Sequence, residues 1–183
     1  MVTRSDAGAN RDRIVEAARA ELSESNGAVS ELKLHRVAKA AGVGQGTLYR
    51  HFPTREHLLA EVYRAELDQL VGTVTPLLAE HTPLCALSQW LDRLVDYARV
   101  KRGVMAAIEV PAWQEIYSSQ HHRLDEALGT LLERGQAAGE IRAGVDAADV
   151  ILLLGALSRI PGAEWHERAH RLVAVIVDGL KNP

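Results

Sequence analysis

Apolar residues recur three and four positions apart along most of this chain, the spacing of one helix face, and no stretch alternates as a half-buried strand would. Ile14, Ala17, Ala18 and Leu22 predict a first amphipathic helix, and Leu34, Val37, Ala38 and Ala41 a second. Gly42 should end the second helix, because a residue without a Cβ enters the left-handed backbone of a sharp turn at no steric cost. Val43 then dips between the helices. The pattern restarts at once, with Leu48 and Phe52 inward and Gln45, Thr47, Tyr49, Arg50 and His51 outward. Pro53 disfavours helical backbone at Phe52, and Thr54 is a good N-cap for a helix opening with Arg55 and Glu56. That next helix is predicted over residues 54–75, kinked or ended by Pro76.

Helical spacing continues beyond it. Thr82-Pro83 starts a helix running to about residue 101, with stripes Leu84, Leu87, Leu91, Val95, Ala98 and Trp90, Leu94, Tyr97. Gly103 breaks it, a short helix over 104–110 ends before Pro111, and a long one over 113–138 is closed by Gly139. Asp146 caps the next, Pro161-Gly162 ends it, and a last helix covers 164–180. The fold class is therefore all-α, about nine helices without internal repeats.

Residues 33–59 combine a helix, a glycine turn and a short helix with its polar side outward, the order of a helix-turn-helix. The second helix of that motif reaches base edges in the major groove through its N-terminal residues. Three short helices packed only for their core would leave the Gln-Gly-Thr-x-Tyr-Arg-His face without a purpose.

The run GVGQGTLYRHFPTREHLL resembles the signature of the tetracycline-repressor (TetR) family of bacterial regulators: recognition helix, tyrosine, aromatic-proline turn, then a basic residue opening a long fourth helix. WLDRLVDYARVKRG from Trp90 and LLERGQAAGEIRAGVDAADVILLLGAL from Leu131 are similar to C-terminal segments in one branch of the family. Lys33 departs from the pattern, since family members often carry there a Thr or Ser that caps the second helix and touches a phosphate. Lys33 keeps the charge and loses the cap. The resemblance implies a flexible leader over 1–10, a three-helix DNA-binding domain over 11–55, and a helical effector-binding and dimerisation domain over 56–183. It also implies that Gln45 and Thr47 face base edges, that Tyr49, His51 and Arg55 face phosphates, and that Lys33 and His35 flank them. Gly44, Gly46 and Arg50 complete that surface. The free N–H groups and dipole at the start of the fourth helix favour a phosphate beside Arg55.

Charge supports the polarity of this arrangement. The formal net charge of −3 divides into +3 over residues 1–55 and −6 over the remainder, so the basic end is the end expected on DNA. A single cysteine, Cys85, excludes an intrachain disulfide framework and suits a reducing cytosol, with the thiol expected to be buried as a small apolar group. Residues 1–10 are polar and lack the apolar core of a secretory signal. Apolar runs such as 150–157 are far shorter than the ~20 residues that span a bilayer, and a cytoplasmic location is expected.

The last two helices carry apolar residues nearly all round, in 150–157 and 172–177, so each should be covered on more than one side. Similar proteins pair these helices with the same two of a second subunit, and two-fold symmetry matches palindromic half-sites. Val150, Leu153, Leu154, Leu157, Leu172, Val175 and Ile176 are the expected homodimer contacts. Family members bind small effectors in the middle of the fold, where Trp90, Leu94, Tyr97, Met105, Glu109, Trp113, Tyr117 and His121 offer an apolar lining with a few polar groups. Aromatic residues at helical spacing also serve simply as core. His122 points away from His121 and cannot share an ion with it.

One enzymatic pattern competes. His166-Glu167-Arg168-Ala169-His170 matches H-E-x-x-H, in which two histidines hold Zn²⁺ and the glutamate is a general base. The acid that follows, Asp178, lies about 12 Å along the same helix at 1.5 Å per residue, leaving a third ligand to come from elsewhere in the chain. The sequence is therefore read as a non-enzymatic regulator, a ligand-responsive repressor that binds a palindromic DNA operator as a homodimer, with no cofactor or metal. A DNA-binding regulator without a small-molecule effector and, more remotely, a zinc-dependent hydrolase are the alternatives.

Overall fold

The computed structural model describes the backbone of residues 4–24, 32–105, 110–160 and 162–183. These residues form α1 (Arg4–Glu24), α2 (Leu34–Ala40), α3 (Gln45–His51), α4 (Arg55–Gly72), α5 (Val74–Glu80), α6 (Pro83–Met105), α7 (Val110–Ala137), α8 (Ala147–Gly155) and α9 (Trp165–Leu180). Short 3-10 turns at Ala156–Arg159 and Gly162–Glu164 connect α8 to α9. The all-α expectation holds, with a lone bridge between Ile141 and Lys181 among the described residues.

Several boundaries differ from the sequence reading. α1 begins at Arg4 and takes in most of the segment expected as a leader. α4 ends at Gly72, and Pro76 lies in the first turn of α5, where a missing N–H breaks no intrahelical bond. The same reasoning admits Pro111 to the first turn of α7. Gly103 does not break α6, which reaches Met105. The short helix expected over 104–110 is thereby divided among the end of α6, the start of α7 and residues 106–109, which lie outside the described residues.

The chain separates into two compact units. The first comprises residues 1–66 and 99–116. Its core is Ile14, Ala18 and Leu22 of α1, Val37 and Ala38 of α2, Leu48 and Phe52 at α3, and Leu58, Leu59, Val62 and Tyr63 of α4, all nearly inaccessible to solvent. Charges around this core join α1 to α4: Arg19 Nε donates to Glu66 Oε1 at 2.7 Å, and Arg11 pairs with Glu61. The Arg11 guanidinium also lies 5.2 Å from the Phe52 ring centroid, within cation–π range.

The second unit comprises residues 67–98 and 117–183. Leu87, Trp90, Leu91, Leu128, Leu131, Val150, Trp165, Ala169 and Val173 form its centre. Asp146 caps α8 in a reciprocal capping box, its carboxylate accepting from the Asp149 N–H at 3.0 Å while the Asp149 carboxylate accepts from the Asp146 N–H at 3.2 Å. Gly135 permits a close crossing, since a Cβ there would meet Ile141 Cδ1 at 2.2 Å. The turn thus packed on α7 places Glu140 to accept from the Leu84 N–H at 2.8 Å, satisfying a free donor at the start of α6. Cys85, expected inside, is exposed.

Candidate nucleic-acid interface

α2 starts without a side-chain cap, as Lys33 implied. Lys33 has extended backbone and its carbonyl accepts from the N–H groups of Arg36 and Val37 at 2.9 and 3.1 Å. Gly42 adopts φ +65°, the left-handed turn expected of it, and the Val43 N–H closes the turn on the Ala38 carbonyl at 3.0 Å. Val43 itself is half-buried. Leu48 and Phe52 anchor α3 in the core. The same helix therefore presents Gln45, Gly46, Tyr49 and Arg50 to solvent, with Thr47 and His51 half-buried. Lys33, His35 and Gly44 are exposed beside it.

Two side chains on this face have defined geometry. Arg50 lies back along α3, its Nε donating to the Gly46 carbonyl at 3.2 Å and its Nη2 to Thr47 Oγ1 at 3.0 Å. Arg55 is half-buried at the first position of α4, and its Nε and Nη2 are enclosed without a hydrogen-bond partner. An enclosed guanidinium donor without an acceptor is costly unless a ligand supplies one. Arg55 lines a recess of about 430 Å³ with Leu32, Leu34, His35, Gln45, Leu48 and Tyr49. Leu32 and Leu34 are apolar walls of this recess that the sequence reading had not placed there.

Thr54 caps α4 as expected, its Oγ1 accepting from the His57 N–H at 3.4 Å. The Thr54 hydroxyl also hydrogen-bonds the Glu56 carboxyl and holds it below its ordinary range.

Family models match both parts of the chain. Residues 14–62 match bacterial regulatory proteins of the TetR family, and residues 82–182 match the C-terminal domain of SbtR-like transcriptional regulators. A TetR transcriptional regulator from Streptomyces coelicolor is 36% identical, with 94% of this chain and 98% of that one covered and a TM-score of 0.79.

The chain belongs to the TetR family.

A second TetR-family structure, from Mycobacterium vanbaalenii, is 30% identical over 97% of this chain and 98% of its own, with a TM-score of 0.73. A helix-turn-helix-type transcriptional regulator of Staphylococcus aureus is 31% identical over 107 residues. The match spans 58% of this TetR-family chain and 57% of that relative's length.

Other expected sites of this TetR-family protein fare unevenly. Among the residues suggested for an effector site, Trp90 is 1% exposed and its Nε1–H donates to the Leu70 carbonyl at 3.1 Å. Tyr97 is buried and Leu94 half-buried. The side chains of Met105, Trp113, Tyr117 and His121, and all of Glu109, lie outside the described residues. His122 is exposed, its Nε2 3.1 Å from Glu126.

The C-terminal apolar residues divide between two faces. Val150 and Leu157, expected between subunits, are buried within the subunit itself. Leu153, Leu172 and Val175 are exposed, Leu154 and Ile176 are half-buried, and Leu152, which had not been singled out, is 77% exposed. The histidines of the H-E-x-x-H run are brought beside acids of α6. His166 Nδ1 lies 3.9 Å from Asp96 Oδ1, and His170 Nδ1 2.9 Å from Asp92 Oδ1. The sequence carried a faint trace of this, since Asp92 and Asp96 stand four positions apart as the histidines do.

Proposed function

We propose that this TetR-family protein is a transcriptional repressor that binds a palindromic DNA operator as a homodimer and is released by a small-molecule effector. The observation that carries the DNA reading is Arg55, whose Nε and Nη2 are enclosed without an acceptor in a recess shared with His35, Gln45 and Tyr49. A phosphate oxygen would supply the missing acceptor in a charge-assisted bond. Lys33, His35, Tyr49 and His51 would hold the flanking backbone, while Gln45 and Thr47 read base edges from the first turn of α3. Gly44, Gly46 and Arg50 complete the surface, the glycines allowing close approach of the DNA.

The exposed Leu152 and Leu153 of α8 and Leu172 and Val175 of α9 support a second subunit as the cover for these helices, since large apolar side chains exposed together mark association sites. Among the described residues no helix is long and apolar enough to cross a membrane, which accords with a site of action on cytoplasmic DNA. Effector control would act through α4, whose residues are divided between both units. Operator and effector must then weaken each other's binding by the same factor, commonly ~1–3 kcal/mol.

Selection of bound sequences from a random duplex library tests the reading. Enrichment of an inverted repeat, with half-sites about one helical turn or a multiple of it apart, is the expected result. Binding that remains indifferent to sequence at every salt concentration would reject it. Genes adjoining the coding sequence supply effector candidates, and equal effector affinity with and without operator would reject induction while leaving DNA binding intact.

A further inference from the structure

The H-E-x-x-H histidines lie one turn apart on α9, so both project from one face of that helix. Asp92 and Asp96 repeat the spacing on α6, and the two pairs meet. Ligand atoms of Asp96, His166 and His170 all lie within 4.8 Å of one another, and the imidazole rings are 4.6 Å apart at 83°. Zinc at ~2.0–2.2 Å from nitrogen and oxygen ligands requires donors roughly 3.4 Å apart in a tetrahedral site. The widest pair of donors needs to close by no more than about 1.4 Å, a movement available to rotation of partly exposed side chains. His166 and Asp96 are 48% and 58% exposed, and His170 and Asp92 32% and 52%.

We propose that His166, His170 and Asp96 bind one divalent transition-metal ion of the zinc class, with Asp92 orienting His170. Two imidazoles and a carboxylate form a donor set of borderline softness, suited to Zn²⁺, Co²⁺ or Ni²⁺ rather than Mg²⁺ or Ca²⁺. The 2.9 Å contact to Asp92 holds the His170 ring. With the proton on Nδ1, the Nε2 lone pair is the one able to ligate, the carboxylate–histidine–metal arrangement of many zinc sites. Asp92 and Asp96 together offset the charge of the ion. The site is a clamp between α6 and α9 rather than a hydrolytic centre. Glu167, the general base of the H-E-x-x-H pattern, is 84% exposed and lies 3.7 Å from Arg171, its ion-pair partner. The inference does not depend on DNA binding.

The test uses the full chain carrying Cys85→Ser, which removes the exposed thiol as a competing ligand, after chelator treatment and dialysis. Zinc titration by calorimetry should give one ion per chain with micromolar or tighter affinity, and zinc should raise the thermal unfolding midpoint. Co²⁺ should give visible d–d bands that zinc abolishes. His166→Ala, His170→Ala and Asp96→Asn should each lose at least 10-fold in affinity, with Glu167→Gln unchanged. Asp92→Asn should lose about 10-fold and keep the Co²⁺ band positions, as befits a positioning residue. Circular dichroism identifies any variant that fails to fold, and the unmutated-site Co²⁺ spectrum decides independently of the variants. Zinc affinity unchanged in the His166→Ala/His170→Ala double variant would overturn the proposal, as would a parent chain that binds neither ion at micromolar concentrations.

Discussion

The indole Nε1–H of Trp90 donates to the main-chain carbonyl of Leu70 at 3.1 Å, joining α6 to the last turn of α4. The same carbonyl accepts from Thr73, through its N–H at 3.2 Å and its Oγ1 at 2.7 Å. Carbonyls in the final turn of a helix lack intrahelical donors, and here Trp90 and Thr73 provide them. Trp90→Phe should keep most of the packing and lose the hydrogen bond, costing about 1–2 kcal/mol, whereas Trp90→Ala should cost about 3–5 kcal/mol. Urea unfolding followed by far-UV circular dichroism checks the order. A Trp90→Phe variant as stable as the parent would show that the indole N–H contributes nothing.

DNA binding should separate Gln45 from Arg55. Gln45→Ala should relax sequence preference, with about 1–3 kcal/mol lost at the base pair it contacts. Arg55→Ala should weaken all sequences alike and reduce the slope of log K against log salt by about one. Fluorescence anisotropy on operator and scrambled duplexes at several salt concentrations reads both quantities. If the two variants gave the same slope and the same specificity loss, the division between base and phosphate contacts would be wrong.

Subunit association should distinguish two apolar positions on α8. Leu153 is 53% exposed, so Leu153→Asp should leave the subunit folded and produce monomers. Val150 is inaccessible, and Val150→Asp should bury an unpaired carboxylate and unfold the protein. Sedimentation combined with circular dichroism measures both effects. A parent protein that is already monomeric at micromolar concentration would remove the interface.

Acid should loosen the first unit through Glu61. The Arg11 hydrogen bond holds the Glu61 carboxyl below its ordinary value, aided by the charge of Arg64. A carboxylate with a depressed folded pKa contributes stability above its unfolded value near ~4.3. That contribution disappears as pH falls through the lower folded value. Because both partners remain partly in water, it should amount to no more than about 1 kcal/mol. Denaturation of the parent and of Glu61→Gln at neutral pH and at successively lower pH should show the difference between them shrinking on acidification. A constant difference would count against the ion pair.

Sequence alone determined the helix-turn-helix. Its determinants act within a few residues: Leu48 and Phe52 one turn apart, Gly42 in the left-handed turn, Thr54 accepting from the His57 N–H. Local interactions of that kind do not wait for the rest of the fold. The Asp146 cap and the helical character of the whole chain were legible for the same reason.

Tertiary structure decided what periodicity leaves without a phase. In 150–157 and 172–177 apolar residues occupy every side, so the pattern could not tell that Val150, Leu157, Val173 and Val177 turn inward while Leu152, Leu153, Leu172 and Val175 turn outward. Packing of α8 and α9 on their neighbours fixed that rotation. It likewise made Trp90 a core residue bonded to Leu70, gave α6 a cap from Glu140 more than fifty positions away, and set Asp92 and Asp96 against His170 and His166. These contacts join residues remote in sequence, and only the folded chain brings them within a few ångströms of one another.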